Sequence, residues 1–158
     1  MAKFKMQPTV DTEVVTARLG AGSGSANYVT DVEINKPVKL VGDSQYNLCA
    51  AGNEIEGRIS SIETATMDAY TIGGVQQEGR FEVTFDGLQA TPGTGTVAIG
   101  DYVVCGTVVA KDTALTVAAK VCKATAAGNT LNFKWRVVSL GSAGTGAVGT
   151  TGIIEFIC

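Results

Sequence analysis

The chain has 158 residues, a formal net charge of −3 at pH 7, 20 glycines and 3 prolines. This length suits one domain that buries its own core. The acidic balance gives no electrostatic reason to expect nucleic-acid or anionic-membrane binding, and no apolar run approaches the roughly 20 residues of a membrane helix. Abundant glycine and threonine disfavour long helices and suit short strands joined by turns.

Residues 1–27 are predicted to form an extended N-terminal arm and linker. The arm alternates weakly, with Phe4 and Met6 on one face, and no apolar segment follows its lysines, so we expect no signal peptide. Residues 12–19 have the composition of a strand, and the glycine-serine stretch 20–25 is typical of a linker. The alternative is that this region is simply a first strand and a loop.

Residues 28–158 are predicted to be the β-rich domain. Strands are predicted, in chain order, at 29–34, 36–41, 46–50, 55–62, 80–87, 102–109, 131–140 and 153–157. Residues 112–127 are ambiguous, and their β-branched side chains favour loop and strand over helix. Short strands with glycine turns indicate a mainly β fold, a compact antiparallel barrel or sandwich with glycine-rich loops.

The clearest strand is 80–87, where Phe81, Val83 and Phe85 alternate with polar residues. Period-two alternation puts the apolar side chains on a core face and the polar ones on a face predicted to meet water. The polar set is Arg80, Glu82, Thr84 and Asp86. Three cations elsewhere are predicted to protect exposed sheet edges: Lys36, Lys39 and Arg58.

Four cysteines, Cys49, Cys105, Cys122 and Cys158, are widely spaced and form no C-x-x-C pair. We expect reduced thiols, most of them buried as small apolar side chains. A thiolate zinc site is not expected, because paired ligand spacing and histidine are both missing from the sequence. No metal or other cofactor is predicted.

No motif points to catalysis. Residues 144–149 match G-x-G-x-x-G, but a dinucleotide site needs a helix next, and a β-branched segment follows instead. A chain without histidine cannot build a Ser-His-Asp or Cys-His arrangement. Carboxylates that could pair as glycosidase groups lie mostly beside turns or on polar faces, where solvation is the simpler explanation. They are Glu54, Glu56, Glu63, Asp68, Asp86 and Asp101.

Several stretches, in this order along residues 30–140, carry a family resemblance. They are KPVKL at 36–40, YNLCAAGNEIEG at 46–57, GRFEVTFDG at 79–87, IGDYVV at 99–104 and WRVV at 135–138. Together they resemble the capsid decoration (cement) proteins of tailed bacteriophages. The resemblance implies a virion structural protein without enzymatic activity, made in the host cytoplasm. Such proteins bind the outer surface of the expanded capsid and stabilise it against internal DNA pressure.

The resemblance also implies partners. These are the major capsid protein and further copies of the chain, as a homotrimer or a homodimer, with no nucleic acid or membrane. In related systems the arm adds a strand to the capsid, where main-chain hydrogen bonds supply affinity. The implied capsid-binding residues are Lys3, Phe4, Lys5, Met6 and Val10.

The apolar run at 102–109 lacks alternation, which indicates burial on both faces or packing against another subunit. Tyr102, Val104 and Val108 are therefore the predicted oligomer interface. Two alternatives remain for the whole chain. One is another virion module, such as a head-fibre base or tail component, and the other is a carbohydrate-binding β domain or small hydrolase.

Overall fold

The computed structural model describes residues 13–20, 28–63, 71–107, 111–115, 118–125 and 134–157. These residues form two β-sheets, so the prediction of a mainly β fold is confirmed. The strands are β1 (Val14–Leu19), β2 (Pro37–Gly42), β3 (Gln45–Leu48), β4 (Gly57–Glu63), β5 (Thr71–Gln76), β6 (Arg80–Leu88), β7 (Thr91–Pro92), β8 (Val103–Cys105), β9 (Lys120–Lys123), β10 (Trp135–Ser139) and β11 (Thr151–Phe156). No helix within the described ranges has the length and apolar character needed to cross a membrane.

The first sheet closes on itself as a barrel with strand order β1-β3-β2-β4-β5, here called the first barrel. Alternate side chains of its strands point inward and form one core cluster. That cluster contains Ala17, Leu19, Val29, Val38, Tyr46, Ile59 and Val75.

The second sheet has the order β10-β11-β6-β9-β8, with β7 paired to β6. A bridge between Tyr102 and Arg136 brings its two outer strands together. Its core centres on Trp135, whose ring lies 4.7 Å from Phe81 and 5.5 Å from Phe156 in edge-on contacts. Cys49 and Ile55, from the connection after β3, belong to the same core cluster, so the two sheets are packed together.

The ladders are mostly antiparallel, as predicted, but two described pairs are parallel. These are β1 with β3, and β6 with β9. In both cases at least one other strand lies between the two partners in sequence. The chain can therefore turn back and run in its original direction before the partners pair. Local alternation contains no information about such non-local pairings.

The strand at residues 14–19 belongs to the first barrel. It pairs with β5 along its whole length and with β3 at its end. Its alternate residues Ala17 and Leu19 are buried in the barrel core, which is the physical reason that the segment is not part of an arm. This placement matches the alternative of a first strand, and residues 1–12 of the predicted arm lie outside the described residues.

The predicted strand at 29–34 is instead a short 3-10 helix, Asp31–Glu33. The Thr30 backbone N–H and hydroxyl both donate to Glu33 Oε2 at 2.8 Å. The Glu33 side chain thus accepts the backbone N–H of the N-cap residue, as in a capping box, and this contact outweighs the strand preference of the neighbouring β-branched residues.

The central strand β6 confirms half of its predicted pattern. Phe81, Val83 and Phe85 are buried, but Thr84 and Asp86 on the other face are also buried. Asp86 accepts a 2.8 Å hydrogen bond from the Thr107 backbone N–H, and segments next to β8 and β9 cover this part of the face. The prediction of a face open to water is therefore wrong beyond Glu82.

Two of the three predicted edge cations join the sheets instead. Lys36 is only 1% exposed, and its ammonium lies 3.4 Å from the carboxylate of Glu33, which also accepts the Asp112 N–H. The Arg58 guanidinium lies 5.2 Å from the ring centre of Phe81, a cation–π distance. A sequence pattern cannot distinguish cations that are buried, like Lys36, or half-buried, like Arg58, from solvated ones.

Candidate functional site

Along the first half of β1, the described part of the chain supplies a strand partner on one side only. On one side, β1 pairs with β5 from Val14 to Leu19. On the other, it pairs with β3 only at Arg18 and Leu19, because β3 begins at Gln45 after the β2–β3 turn. We call the space between residues 14–16 and that turn the gap.

Peptide groups of β1 point into the gap. The Arg18 N–H donates to Ser44 O at 2.8 Å, so the peptide groups of Arg18 face β3. Because the orientation of peptide groups alternates along a strand, the peptide groups of Val14 and Thr16 point to the same side of β1 as those of Arg18. On the opposite side, Glu13 O accepts from Gln77 N–H at 2.9 Å, which fits this alternation. Val14 and Thr16 have no register partner there among the described residues.

Apolar side chains of the barrel interior are accessible through the gap. Leu40 lies opposite Tyr46 in the β2–β3 ladder and therefore shares its core-facing side, yet Leu40 is 48% exposed. The gap contains a concavity of about 260 Å³. Its lining residues are Val15, Thr16, Ala17, Leu40, Ser44, Tyr46 and Gln77.

The floor of the gap is fixed by polar contacts. The Tyr46 hydroxyl accepts a hydrogen bond from Gln77 Nε2. Burial, and then the nearby Glu56 carboxylate, raise the pKa of Tyr46, so the hydroxyl remains neutral at physiological pH. Glu56 accepts the Leu40 N–H at 2.9 Å and the Lys134 ammonium at 3.2 Å, which ties the floor to the second sheet.

The rim of the gap is also apolar. Val14 is 51% exposed, and Val41, next to Leu40 at the irregular end of the β2–β3 ladder, is 46% exposed. Clustered exposed aliphatic side chains are typical of protein interaction surfaces. The gap thus combines open main-chain hydrogen-bonding groups with apolar side chains, and both can bind an extended peptide.

The predicted site residues differ in whether the structure describes them and in how exposed they are. Lys3, Phe4, Lys5, Met6, Val10 and Val108 lie outside the described residues. Tyr102 is 44% exposed and stays accessible, next to Ile99, which is 65% exposed. Val104 is 1% exposed within its own chain, so it is not available to a second subunit. β8 is buried on both faces, because Val103 and Cys105 point into the core of the second sheet and Val104, between them, is covered on the opposite face.

Three of the six carboxylates considered for catalysis, Glu56, Asp86 and Asp101, have structural contacts, and Asp68 lies outside the described residues. Asp101 pairs with Lys123 at 2.9 Å and accepts the Ala98 N–H, which fixes the turn before Tyr102. Burial raises the pKa of Glu54, whose Oε1 has no partner in the described part of the chain. Glu63 is exposed at the end of β4.

Cys49, Cys105 and Cys122 are free and buried, as predicted, and Cys158 lies outside the described residues. A hydrogen bond with the Cys105 thiol and burial raise the pKa of Cys49. Burial and the Asp86 carboxylate raise the pKa of Cys122 to about 11. Neither thiol has the lowered pKa of a reactive cysteine.

Sequence reasoning missed the gap, because the gap depends on where β3 starts relative to β1. The only local signal was the adjacent pair Leu40 and Val41, two large aliphatic residues just before a turn. No protein-family model, curated protein sequence or solved structure matches this chain.

Proposed function

We propose that this protein is a virion structural protein that binds the outer surface of an expanded phage capsid and stabilises it. The observation that carries the proposal is that residues 1–12 lead directly into β1, a strand that its pairing with β3 and β5 fixes in the packed barrel. The capsid shell is proposed as the partner because of the resemblance to the decoration proteins of tailed bacteriophages.

In this proposal the arm attaches the protein to the shell. Residues 3–10 add as a strand to the major capsid protein, with Phe4 and Met6 on one face and Lys3 and Lys5 on the other. Main-chain hydrogen bonds supply affinity, and alternate side chains set the register. The packed barrel and second sheet then form a rigid body on the outer surface.

Association of several copies strengthens the attachment. A homotrimer or homodimer that contacts several shell subunits gains avidity of about 10²- to 10⁴-fold without any new contact type. Exposed apolar residues such as Ile99 and Tyr102 are candidates for contacts between copies. No single shell contact then needs to be tight.

The test is co-sedimentation of the purified protein with undecorated expanded capsids. We expect saturable binding by the full chain, and loss of binding when residues 1–10 are deleted. Trp135 is buried in the core of the second sheet, so unchanged Trp135 fluorescence is the control for folding. Unchanged binding by the deletion variant would remove the arm from this account.

A further inference from the structure

The gap leaves part of the first barrel uncovered. Leu40 faces the barrel interior but is 48% exposed, and the outward peptide groups of Val14 and Thr16 have no strand partner among the described residues. Open strand edges beside apolar side chains promote association, and proteins usually cover them. A single added strand would supply both the hydrogen-bond partners and the apolar cover.

We propose that in the free protein the gap is occupied by residues 3–10 of a second copy, added as a strand beside β1. This inference goes beyond the proposed function, because it concerns the protein before it meets a shell. It also assigns a role to the gap as an acceptor, whereas the proposed function uses the arm as a donor.

The arm has the chemistry that the gap requires. Phe4 and Met6 are two residues apart, so in a strand both face the same side, where they would cover Leu40. Lys3 and Lys5 would face outward. Pro8 cannot donate to a ladder and is tolerated only where its nitrogen faces away, so the residues before it carry the pairing.

Charge favours the same occupant. Residues 1–12 contain Lys3, Lys5 and Asp11, a net charge of +1, so the remainder of this −3 chain carries −4. Exposed Glu13 and Asp43 lie at the two sides of the gap, one at the start of β1 and the other in the β2–β3 turn. A basic strand is therefore attracted to this edge, and the effect weakens with salt.

A second copy fits better than the arm of the same chain. The β1–β5 ladder extends to Glu13, so a tight return of the arm onto its own β1 would need a turn at Asp11 and Thr12. Two-residue hairpin turns require positive φ, which β-branched threonine resists. Exchange between two copies avoids this turn and fills both gaps by one symmetric contact.

The test uses full-length variants and needs no capsids. One variant, Phe4→Asp/Met6→Asp, has a defective arm, and another, Leu40→Asp, has a defective gap. Sedimentation equilibrium should show wild-type dimers, and each variant should raise the dimer dissociation constant about tenfold or more. Val148→Asp is the matched control, because this aliphatic residue is 41% exposed and is not among the residues that line the gap, and it should leave the dimer unchanged.

Mixing the two defective variants is the decisive step. The Leu40→Asp copy still has an intact arm, and the other copy has an intact gap, so the mixture should regain one of two contacts. A tagged copy of one variant should then retain the other, although neither variant retains itself. Trp135 fluorescence confirms that each variant is folded.

Three results would overturn the inference. They are a monomeric wild-type protein, a dimer unaffected by both variants, or a mixture that shows no complementation. A monomer whose Thr16 amide is nonetheless protected from hydrogen exchange would place the chain's own arm in the gap. This experiment contains no capsid shell. A negative result would therefore overturn only the exchange of arms between copies, and capsid binding would still be decided by the co-sedimentation test.

Discussion

Lys36 Nζ lies 3.4 Å from Glu33 Oε1, and both side chains are fully buried where the two sheets meet. The same carboxylate accepts the Asp112 N–H at 2.7 Å and both donors of Thr30 at 2.8 Å. One charged group therefore connects the 3-10 helix, the start of β2 and the segment between β8 and β9.

Replacing Glu33 should strongly destabilise the fold. Glu33→Gln removes the charge opposite buried Lys36, and breaking a buried pair from one side typically costs about 3–5 kcal/mol. Urea unfolding followed by Trp135 fluorescence measures this loss. The matched control is Arg80→Gln, which breaks the exposed pair with Glu155 and should cost about 0–1 kcal/mol. Equal losses for the two variants would show that the buried pair does not hold the sheets together.

The same carboxyl should make stability depend on acid pH. Burial by itself would raise the pKa of Glu33, but hydrogen bonds from the Thr30 and Asp112 backbone N–H groups and the Lys36 ammonium outweigh it and hold the pKa below its usual value. Since the folded pKa is the lower one, the stabilisation is present above the unfolded pKa and is lost as pH falls through the folded pKa.

We therefore expect the free energy of unfolding of the wild type to decrease from about pH 5 downward. Glu33→Gln should show a shallower decrease over that range. Denaturant titrations at a series of pH values measure both slopes. Parallel curves would mean that Glu33 is not a source of the acid sensitivity.

Gly152 in β11 should not tolerate a side chain. A Cβ there would lie 2.3 Å from Phe85 Cζ and 2.5 Å from Ser139 O. Gly152→Ala should therefore cost about 1–3 kcal/mol through overpacking. Gly42→Ala is the control, because among the described residues its Cβ would meet only Gln45 Oε1, at 3.9 Å, and it should change stability by about 0.5 kcal/mol or less. Similar effects of the two changes on the thermal midpoint would contradict this packing.

The buried thiols should be unreactive in the folded protein. Since the pKa of Cys122 is raised to about 11, only a small fraction is thiolate at pH 8, and the side chain is also buried. Iodoacetamide labelling analysed by peptide mass spectrometry should leave Cys49, Cys105 and Cys122 unmodified until denaturant is added. Rapid labelling of any of the three under native conditions would show that the core opens readily.

Local pattern was sufficient where burial follows alternation. Phe81, Val83 and Phe85 were placed correctly because every second side chain faces one core. Asp86 was misplaced because its partner Thr107 comes from a distant part of the chain. Lys36 was misplaced because its near neighbour Glu33 is itself fixed by the distant Asp112 N–H. The 3-10 helix had a readable signal, the spacing of Thr30 and Glu33, which is that of a capping box.

The gap could not be predicted for a related reason. Its existence depends on a parallel pairing between β1 and β3 that begins only at Arg18, and no property of either segment alone specifies that register. That the exposed Leu40 faces the barrel interior is apparent only from its pairing with the buried Tyr46 across the β2–β3 ladder. Sites formed between strands that are distant in sequence require the three-dimensional structure.

The most direct test of the central claim is to image the virion particle that contains this protein and count its copies. The account predicts hundreds of copies on the outer surface of the expanded shell, and a lower melting temperature for shells that lack them. A few copies confined to the tail, or none on the particle, would contradict it.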